Sequence, residues 1–198
     1  MTKRSSGIDT PQKILDIAQG LVQTRGFNAF SYGDIARQLN VTKASLHYHF
    51  PAKADLGQAL ITGYEAQFAD ALSAIDASGG TSTDKVMAFV GLYENVLAKN
   101  HTCLCGMLAA EFETLPQPMQ SALDHFFDMC ELWLENVLIE GRRLGDFHFD
   151  EPGREVAQYV IATLEGAMIL ARSHGSPERF RTASHRLVAS FAGKMGNR

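Results

Sequence analysis

The chain has 198 residues and a net charge of −4, which is divided into +3 over residues 1–60 and −7 over residues 61–198. Residues 1–60 are therefore basic and residues 61–198 acidic. This division predicts that only the N-terminal part approaches a polyanion such as nucleic acid. The apolar runs are shorter than the ~20 residues of a membrane span and the N-terminus lacks a signal-peptide core, so we expect a cytoplasmic protein with no membrane partner.

The first predicted helix spans residues 10–25. Thr10 is a good N-cap residue, Pro11 suits the first helical position, and Gly26 ends the helix. The apolar side chains that recur along it at helical spacing are Ile14, Ala18, Leu21 and Val22.

A short second helix is predicted to follow. Ser31 and Asp34 have the spacing of a capping box at its start. Asn40 tolerates a left-handed conformation, and we therefore expect a tight turn there.

The third predicted helix is also short, with Thr42 as its N-cap and Pro51 just after its end. Leu46 and Phe50 lie four residues apart and are expected to face inward. The side chains left for the exposed side are Thr42, Lys43, Ser45, His47, Tyr48 and His49. Two short helices joined in this way form a helix-turn-helix, a motif that reads the major groove of DNA.

The remaining sequence has longer helical patterns and no β-like runs. The predicted helices cover residues 53–75, 84–99, 104–114, 117–143, 153–173 and 177–193. The predicted class is all-α, with about nine helices.

Residues 14–56, ILDIAQGLVQTRGFNAFSYGDIARQLNVTKASLHYHFPAKADL, resemble the helix-turn-helix signature of the tetracycline-repressor (TetR/AcrR) family of bacterial transcription regulators. The segments CLCGMLAAEFETLP and LEGAMILARSHGSPERF are similar to one common body type of that family. The resemblance implies a three-helix DNA-binding domain over residues 1–53 and a helical domain for ligand binding and dimerisation over residues 54–198. It also implies a homodimeric repressor that a small, largely apolar ligand releases from a pseudo-palindromic operator. Because activators use the same reader, the sequence leaves activation open.

The resemblance also implies which residues contact double-stranded DNA. Those expected in or beside the major groove are Thr42, Lys43, Ser45 and Tyr48, and those expected at the DNA backbone are Tyr32, His49 and Lys53.

Three positions depart from the family pattern. His47 stands where tyrosine is most frequent, Asn40 where glycine is frequent, and Ala52 where a Ser or Asn cap is usual. The loss of that cap costs about 1 kcal/mol. The change at His47 affects which bases are read.

His47 and His49 permit three interpretations, namely metal ligands, structural histidines or DNA contacts. Two residues of separation place the imidazoles about 200° apart around a helix, which argues against a shared metal ion. We favour DNA contact.

Apolar stripes in the last two predicted helices are candidates for a dimer interface. The residues expected there are Val160, Leu164, Met168, Phe180, Leu187 and Phe191. Dimerisation would place two recognition helices one DNA turn apart. Packing within a single chain is the alternative interpretation.

Aromatic and methionine side chains in the body suit a pocket for an apolar effector. The candidates are Phe68, Phe89, Tyr93, Met107, Phe112, Phe126, Cys130, Trp133 and Met168. The same residues can form an ordinary core, which is the alternative for each of them.

Cys103 and Cys105 lie at the start of a predicted helix, where free N–H groups lower a thiol pKa. A repressor that senses electrophiles or oxidants through these thiols is therefore the alternative function, and buried, inert cysteines are the simpler interpretation. His101 near the two cysteines lacks an evident fourth metal ligand. We expect no metal and no cofactor.

The sequence contains no nucleophile elbow, P-loop, metalloprotease or dinucleotide motif, so we do not expect an enzyme. A helical partner-binding module without DNA is the remaining rival. Salt-dependent binding to a palindromic fragment would separate it from a repressor.

Overall fold

The computed structural model describes residues 10–192, and the N-terminal segment assessed for a signal peptide lies outside that range. Within it, the chain forms nine α-helices and one turn of 3-10 helix, and the only β pairing is an isolated bridge between Phe147 and Ala192. The predicted all-α class is confirmed. None of the helices in residues 10–192 has the length and apolarity needed to cross a membrane.

Three helices form the head, namely α1 (Thr10–Arg25), α2 (Tyr32–Leu39) and α3 (Lys43–His49). The predicted capping box is present, because the Ser31 N–H donates to Asp34 Oδ2 at 2.8 Å. Thr42 caps α3 by accepting a hydrogen bond from the Ser45 N–H at 3.3 Å. The sequence signals at these helix starts therefore act as expected.

The body contains six further α-helices. They are α4 (Lys53–Ala77), α5 (Ser82–Leu97), α6 (Leu104–Ala109), α7 (Gln117–Leu144), α8 (Gly153–Ser173) and α9 (Pro177–Phe191). The start of α4 lacks a side-chain cap at Ala52, but the Asp55 carboxylate accepts a hydrogen bond from the Ala52 N–H at 2.8 Å. Asp55 thus satisfies one of the free N–H groups at this helix end.

The predicted helix over residues 104–114 is shorter in the structure. Helix α6 ends at Ala109, and a 3-10 turn over Phe112–Thr114 follows it. The Thr114 hydroxyl donates to the Glu111 carbonyl oxygen at 2.7 Å, which offers the backbone an alternative to helical hydrogen bonding.

One continuous apolar core runs from the head into the body. Helix α8 packs between α7 and α9, and α4 extends from the head along α7. Gly57 in α4 allows the Met119 side chain of α7 to pack against the helix backbone, where a Cβ atom would overlap it. The head is therefore packed against the body through α1 and α4.

Candidate DNA-binding surface and sensor core

The turn between α2 and α3 sets the direction of the recognition helix. Asn40 adopts a left-handed conformation with φ 54°, and the Val41 N–H donates to the Ala36 carbonyl oxygen at 3.1 Å. Leu46 is fully buried and holds α3 against the head. The other side of α3 consequently faces outward.

This outward side carries most of the predicted DNA contacts. Thr42 and Lys43 are exposed, Tyr48 is 83% exposed, and Ser45 and His49 are half-buried. The rings of Tyr48 and His49 meet edge to face, with centroids 5.1 Å apart. Exposed hydroxyl, ammonium and imidazole groups on one short helix can contact both base edges and phosphates.

His47 contacts the head as well as solvent. Its Nδ1 lies 3.1 Å from the Pro51 carbonyl oxygen, and its ring lies 4.7 Å from the Tyr32 ring, centroid to centroid. The His47 residue as a whole is exposed.

Tyr32 was expected at the DNA backbone, but its hydroxyl is used within the head. It lies 2.8 Å from the carbonyl oxygens of both Phe50 and Ala52, to which it donates its single proton. Burial, followed by the charge of Asp55, raises the Tyr32 pKa to about 12, so the hydroxyl stays protonated. Tyr32 holds the segment that joins α3 to α4.

Lys53 was also expected at the DNA backbone, and its ammonium group makes contacts within the chain. Its Nζ donates to the carbonyl oxygens of Phe27 and Phe30, each at 2.5 Å, and lies over both phenyl rings. Burial lowers the Lys53 pKa, and the charge of Glu111 opposes this effect. The ammonium group therefore joins α4 to the loop between α1 and α2.

The body contains a contiguous aromatic cluster that includes five of the residues predicted for a pocket. Phe68 lies 5.9 Å from Phe89 and 5.3 Å from Phe126, and Phe89 stacks on Trp133 at 5.6 Å, all between ring centroids. Tyr93 lies 5.6 Å from Phe89. These rings form a packed core between α4, α5 and α7.

The other predicted pocket residues are placed differently. Cys130 and Met168 are buried, and Met168 faces Tyr64, Phe68 and Tyr93 across a narrow internal space. Met107 and Phe112 are only half-buried at the margin of the core.

The residues predicted for the dimer interface are buried within the chain itself. Their exposed fractions do not exceed 4%: Val160, Leu164, Met168, Phe180, Leu187 and Phe191. The expectation that they face a partner is therefore corrected, since these side chains fill the core between α7, α8 and α9. Sequence periodicity shows that one side of a helix is apolar. It does not show whether that side packs within the chain or against a second copy.

Two sequence patterns match the chain in the same order as its two structural parts. The pattern described as "Bacterial regulatory proteins, tetR family" matches residues 14–60, and that described as "Tetracyclin repressor-like, C-terminal domain" matches residues 82–187. The chain belongs to the tetR family. It is therefore a transcriptional regulator rather than an enzyme, with a helix-turn-helix for binding DNA.

The similarity to individual known proteins extends over most of the chain. It is 25% identical to the transcriptional regulator AcuR of Cereibacter sphaeroides, with 78% of this chain and 72% of AcuR covered. It is 27% identical to the nucleoid occlusion factor SlmA of Haemophilus influenzae, with the same two shares covered, 78% and 72%. The crystal structure of a TetR transcriptional regulator from Legionella pneumophila is 32% identical and superposes with a TM-score of 0.86, covering 94% of this chain and all of that one.

Two polar contacts that the sequence did not predict join the body of this tetR-family chain to its head. The Glu111 carboxylate, between α6 and the 3-10 turn, accepts hydrogen bonds from the backbone N–H groups of Phe27 at 2.7 Å and Asn28 at 3.2 Å. The Arg172 guanidinium, near the end of α8, donates to the carbonyl oxygens of Gln23 at 2.7 Å and Thr24 at 2.6 Å. A carboxylate thus meets free N–H groups, and a cation meets the C-terminal carbonyls of α1.

The cysteine environment is opposite to the one expected for a reactive thiol. Cys103 and Cys105 are buried, with exposed fractions of 2% and 0%. The Gly106 N–H approaches the Cys103 sulfur at 3.5 Å and lowers its pKa, but burial and the nearby Glu165 outweigh this contact. Burial likewise raises the pKa of Cys105. Neither thiol is ionised near neutral pH, so the structure gives thiol sensing no specific support.

Proposed function

We propose that this protein is a homodimeric repressor that binds a pseudo-palindromic operator and leaves it when a small effector binds the body. Residues 1–53 would form the DNA-binding head, and residues 54–198 the sensing and dimerisation body. The observation that carries the proposal is the outward face of α3, where Thr42, Lys43 and Tyr48 are exposed beside a buried Leu46.

A dimer would supply the second recognition helix that a specific operator requires. Helix α8 has an exposed apolar strip opposite its buried side: Tyr159, Ala162, Gly166, Ile169 and Leu170. Tyr159 is 56% exposed and Leu170 57% exposed, and a Cβ atom at Gly166 would meet no neighbour within 4 Å. This strip replaces the buried residues as the proposed contact with a second copy, because an interface of this kind excludes water from apolar side chains.

Release from DNA would use the contacts between body and head. Glu111 and Arg172 both bind the end of α1 or the loop after it. A ligand that displaces α6 or α8 would change the orientation of the head relative to its partner's head. Such a ligand shifts the population away from the DNA-binding arrangement, provided that it binds the other arrangement more tightly.

The DNA-binding part of the proposal is tested by selecting bound fragments from random DNA and measuring affinity by fluorescence anisotropy. We expect a palindromic consensus with strongly salt-dependent binding. Lys43→Ala should weaken binding about tenfold or more, whereas Lys99→Ala, on the exposed turn after α5, should not. Equal binding by wild type and Lys43→Ala would contradict the assignment of α3.

The dimer is tested by sedimentation of variants with one leucine replaced by aspartate. Leu170→Asp places a charge on the proposed strip and should give monomers. Leu144→Asp replaces an equally exposed leucine at the end of α7 and should leave the dimer intact. A dimeric Leu170→Asp variant would show that another surface is used.

A further inference from the structure

The body contains two buried polar atoms that form no hydrogen bond of normal length and angle among residues 10–192. They are Glu165 Oε1 in α8 and the Tyr93 hydroxyl in α5, and the hydroxyl lies near the carboxylate. A buried polar group without a partner is costly, and native cores contain few of them. Glu165 and Tyr93 lie close together inside the body, so the pair requires an explanation.

The position of Glu165 is specified by the packing of α8 on α6. The carboxylate lies directly against the backbone of Gly106, where a Cβ atom would overlap it. The Tyr93 hydroxyl and the Cys103 thiol are close enough to favour the ionised carboxylate, yet burial dominates and raises the Glu165 pKa to about 7. The carboxyl group is thus held in place without a cation to pair with it.

The ionisable groups that interact with Glu165 are themselves weak acids. They are Tyr64 from α4, Tyr93 from α5, Cys103 and Cys105 from the start of α6, and Cys130 from α7. These groups are neutral near pH 7, because burial raises the pKa of each one. An anion would be repelled by Glu165, whereas a cation would supply the missing charge.

The space next to Tyr93 and Cys103 is apolar and is closed in this conformation, and Glu165 interacts with these two side chains without lining the space itself. Phe68, Met168 and Tyr93 line it together with Tyr64 and Val96, and it is too narrow to hold a water molecule. Tyr64 and Val96 also line a solvent-exposed groove of about 330 Å³ between α1, α4 and α5. These two side chains form the wall between the groove and the interior.

We propose that Glu165 and Tyr93 bind the charged end of a small organic cation whose apolar body lies among Tyr64, Phe68 and Met168. The proposal rests on the proposed ligand-relieved repressor and names the chemical class of its effector. The cation enters from the groove by displacing Tyr64 and Val96, and the flexible Met168 side chain adjusts to it. The carboxylate accepts a charge-assisted hydrogen bond and the aromatic rings add a cation–π contribution.

The site is connected to the head through α8. Glu165 and Arg172 are seven residues apart, and hence on one side of the helix and about 10 Å apart along its axis. Arg172 holds the end of α1, which also lines the entrance groove through Gln19 and Gln23. A ligand that opens this wall therefore disturbs the contacts that orient the head.

The test is isothermal titration of the full-length protein at pH 8 with benzylammonium, benzyl alcohol and benzoate, three probes of one shape and different charge. Benzylammonium should bind at least about tenfold more tightly than benzyl alcohol, the factor expected for a charged hydrogen bond, and benzoate should bind least. Glu165→Gln should abolish the preference for the cation, and Tyr93→Phe should reduce it. Glu113→Gln, which changes an exposed glutamate, is the matched control and should retain the preference.

Equal affinity for the three probes, no binding of benzylammonium, or a cation preference that survives in Glu165→Gln would overturn the proposal. Circular dichroism of each variant separates loss of the site from loss of the fold. The titration contains no DNA, so its failure leaves operator binding by the selected fragment unaffected. Failure of operator binding, in turn, would overturn the repressor while a cation preference in the titration still supports the site.

Discussion

The guanidinium of Arg172 donates to the carbonyl oxygen of Thr24 at 2.6 Å, across 148 residues of sequence. Thr24 lies in the last turn of α1, where carbonyl groups have no partner within the helix. The contact places a cation at the negative end of the helix dipole. It is therefore both a cap for α1 and a mechanical connection between body and head.

Removing this connection should weaken the fold. Arg172→Ala leaves the carbonyls of Gln23 and Thr24 without their charged donor, and we expect the free energy of unfolding to fall by about 1–3 kcal/mol. Urea denaturation followed by circular dichroism measures the change. Arg186→Ala, an exposed arginine in α9, is the control and should change stability little. Similar losses in both variants would show that the contact to α1 contributes nothing specific.

Two glycines near the end of α1 should respond in opposite directions to alanine. Gly26 has φ 92°, and a Cβ atom there would lie 2.6 Å from Glu111 Oε1. Gly20 lies inside α1 and has no neighbour within 4 Å of a Cβ atom. Gly26→Ala should therefore cost at least about 1 kcal/mol, while Gly20→Ala should stabilise by about 0.5–1 kcal/mol. Thermal melts of the two variants test this, and stabilisation by Gly26→Ala would be incompatible with the observed conformation.

Glu165 should make stability depend on pH. Its folded pKa of about 7 lies above the usual 4.5, so the folded state binds the proton more tightly than the unfolded chain does. This contribution is fully present below pH 4.5 and is lost as the pH rises through 7. The loss is roughly 3 kcal/mol. Stability measured from pH 5 to pH 8 should fall for wild type relative to Glu165→Gln, and parallel curves would contradict the assigned burial.

The three thiols should be unreactive while the protein is folded. Cys103, Cys105 and Cys130 are buried, and burial raises the pKa of each thiol. We expect little reaction with Ellman's reagent at pH 7.5 in buffer and three equivalents in urea, with glutathione as the reactivity standard. Rapid reaction of one thiol in the folded protein would restore thiol sensing as an alternative function.

The head could be predicted closely from sequence because its signals are local. The capping box at Ser31, the left-handed turn at Asn40 and the cap at Thr42 each depend on residues within about four positions. Such interactions hold regardless of what the rest of the chain does. The outward face of α3 follows from them together with the buried Leu46.

The body was less predictable because its decisive contacts join distant parts of the sequence. Glu111 binds the N–H of Phe27 across 84 residues, and no local pattern identifies such a pair. The apolar residues of α8 occupy both sides of the helix, so periodicity could not separate the buried Leu164 from the exposed Leu170. One signal was present, since Glu165 interrupts the apolar side of α8 and a carboxylate there is exceptional.

The contact between His47 and Pro51 bears on which base edges His47 would recognise. A carbonyl oxygen only accepts hydrogen bonds, so the contact requires a proton on Nδ1, and in the singly protonated ring Nε2 is then an acceptor. In the major groove, adenine and cytosine offer amino groups, whereas guanine offers only acceptors. A tyrosine hydroxyl would serve either kind of edge. At a base edge, a neutral His47 held in this way would favour amino-bearing bases.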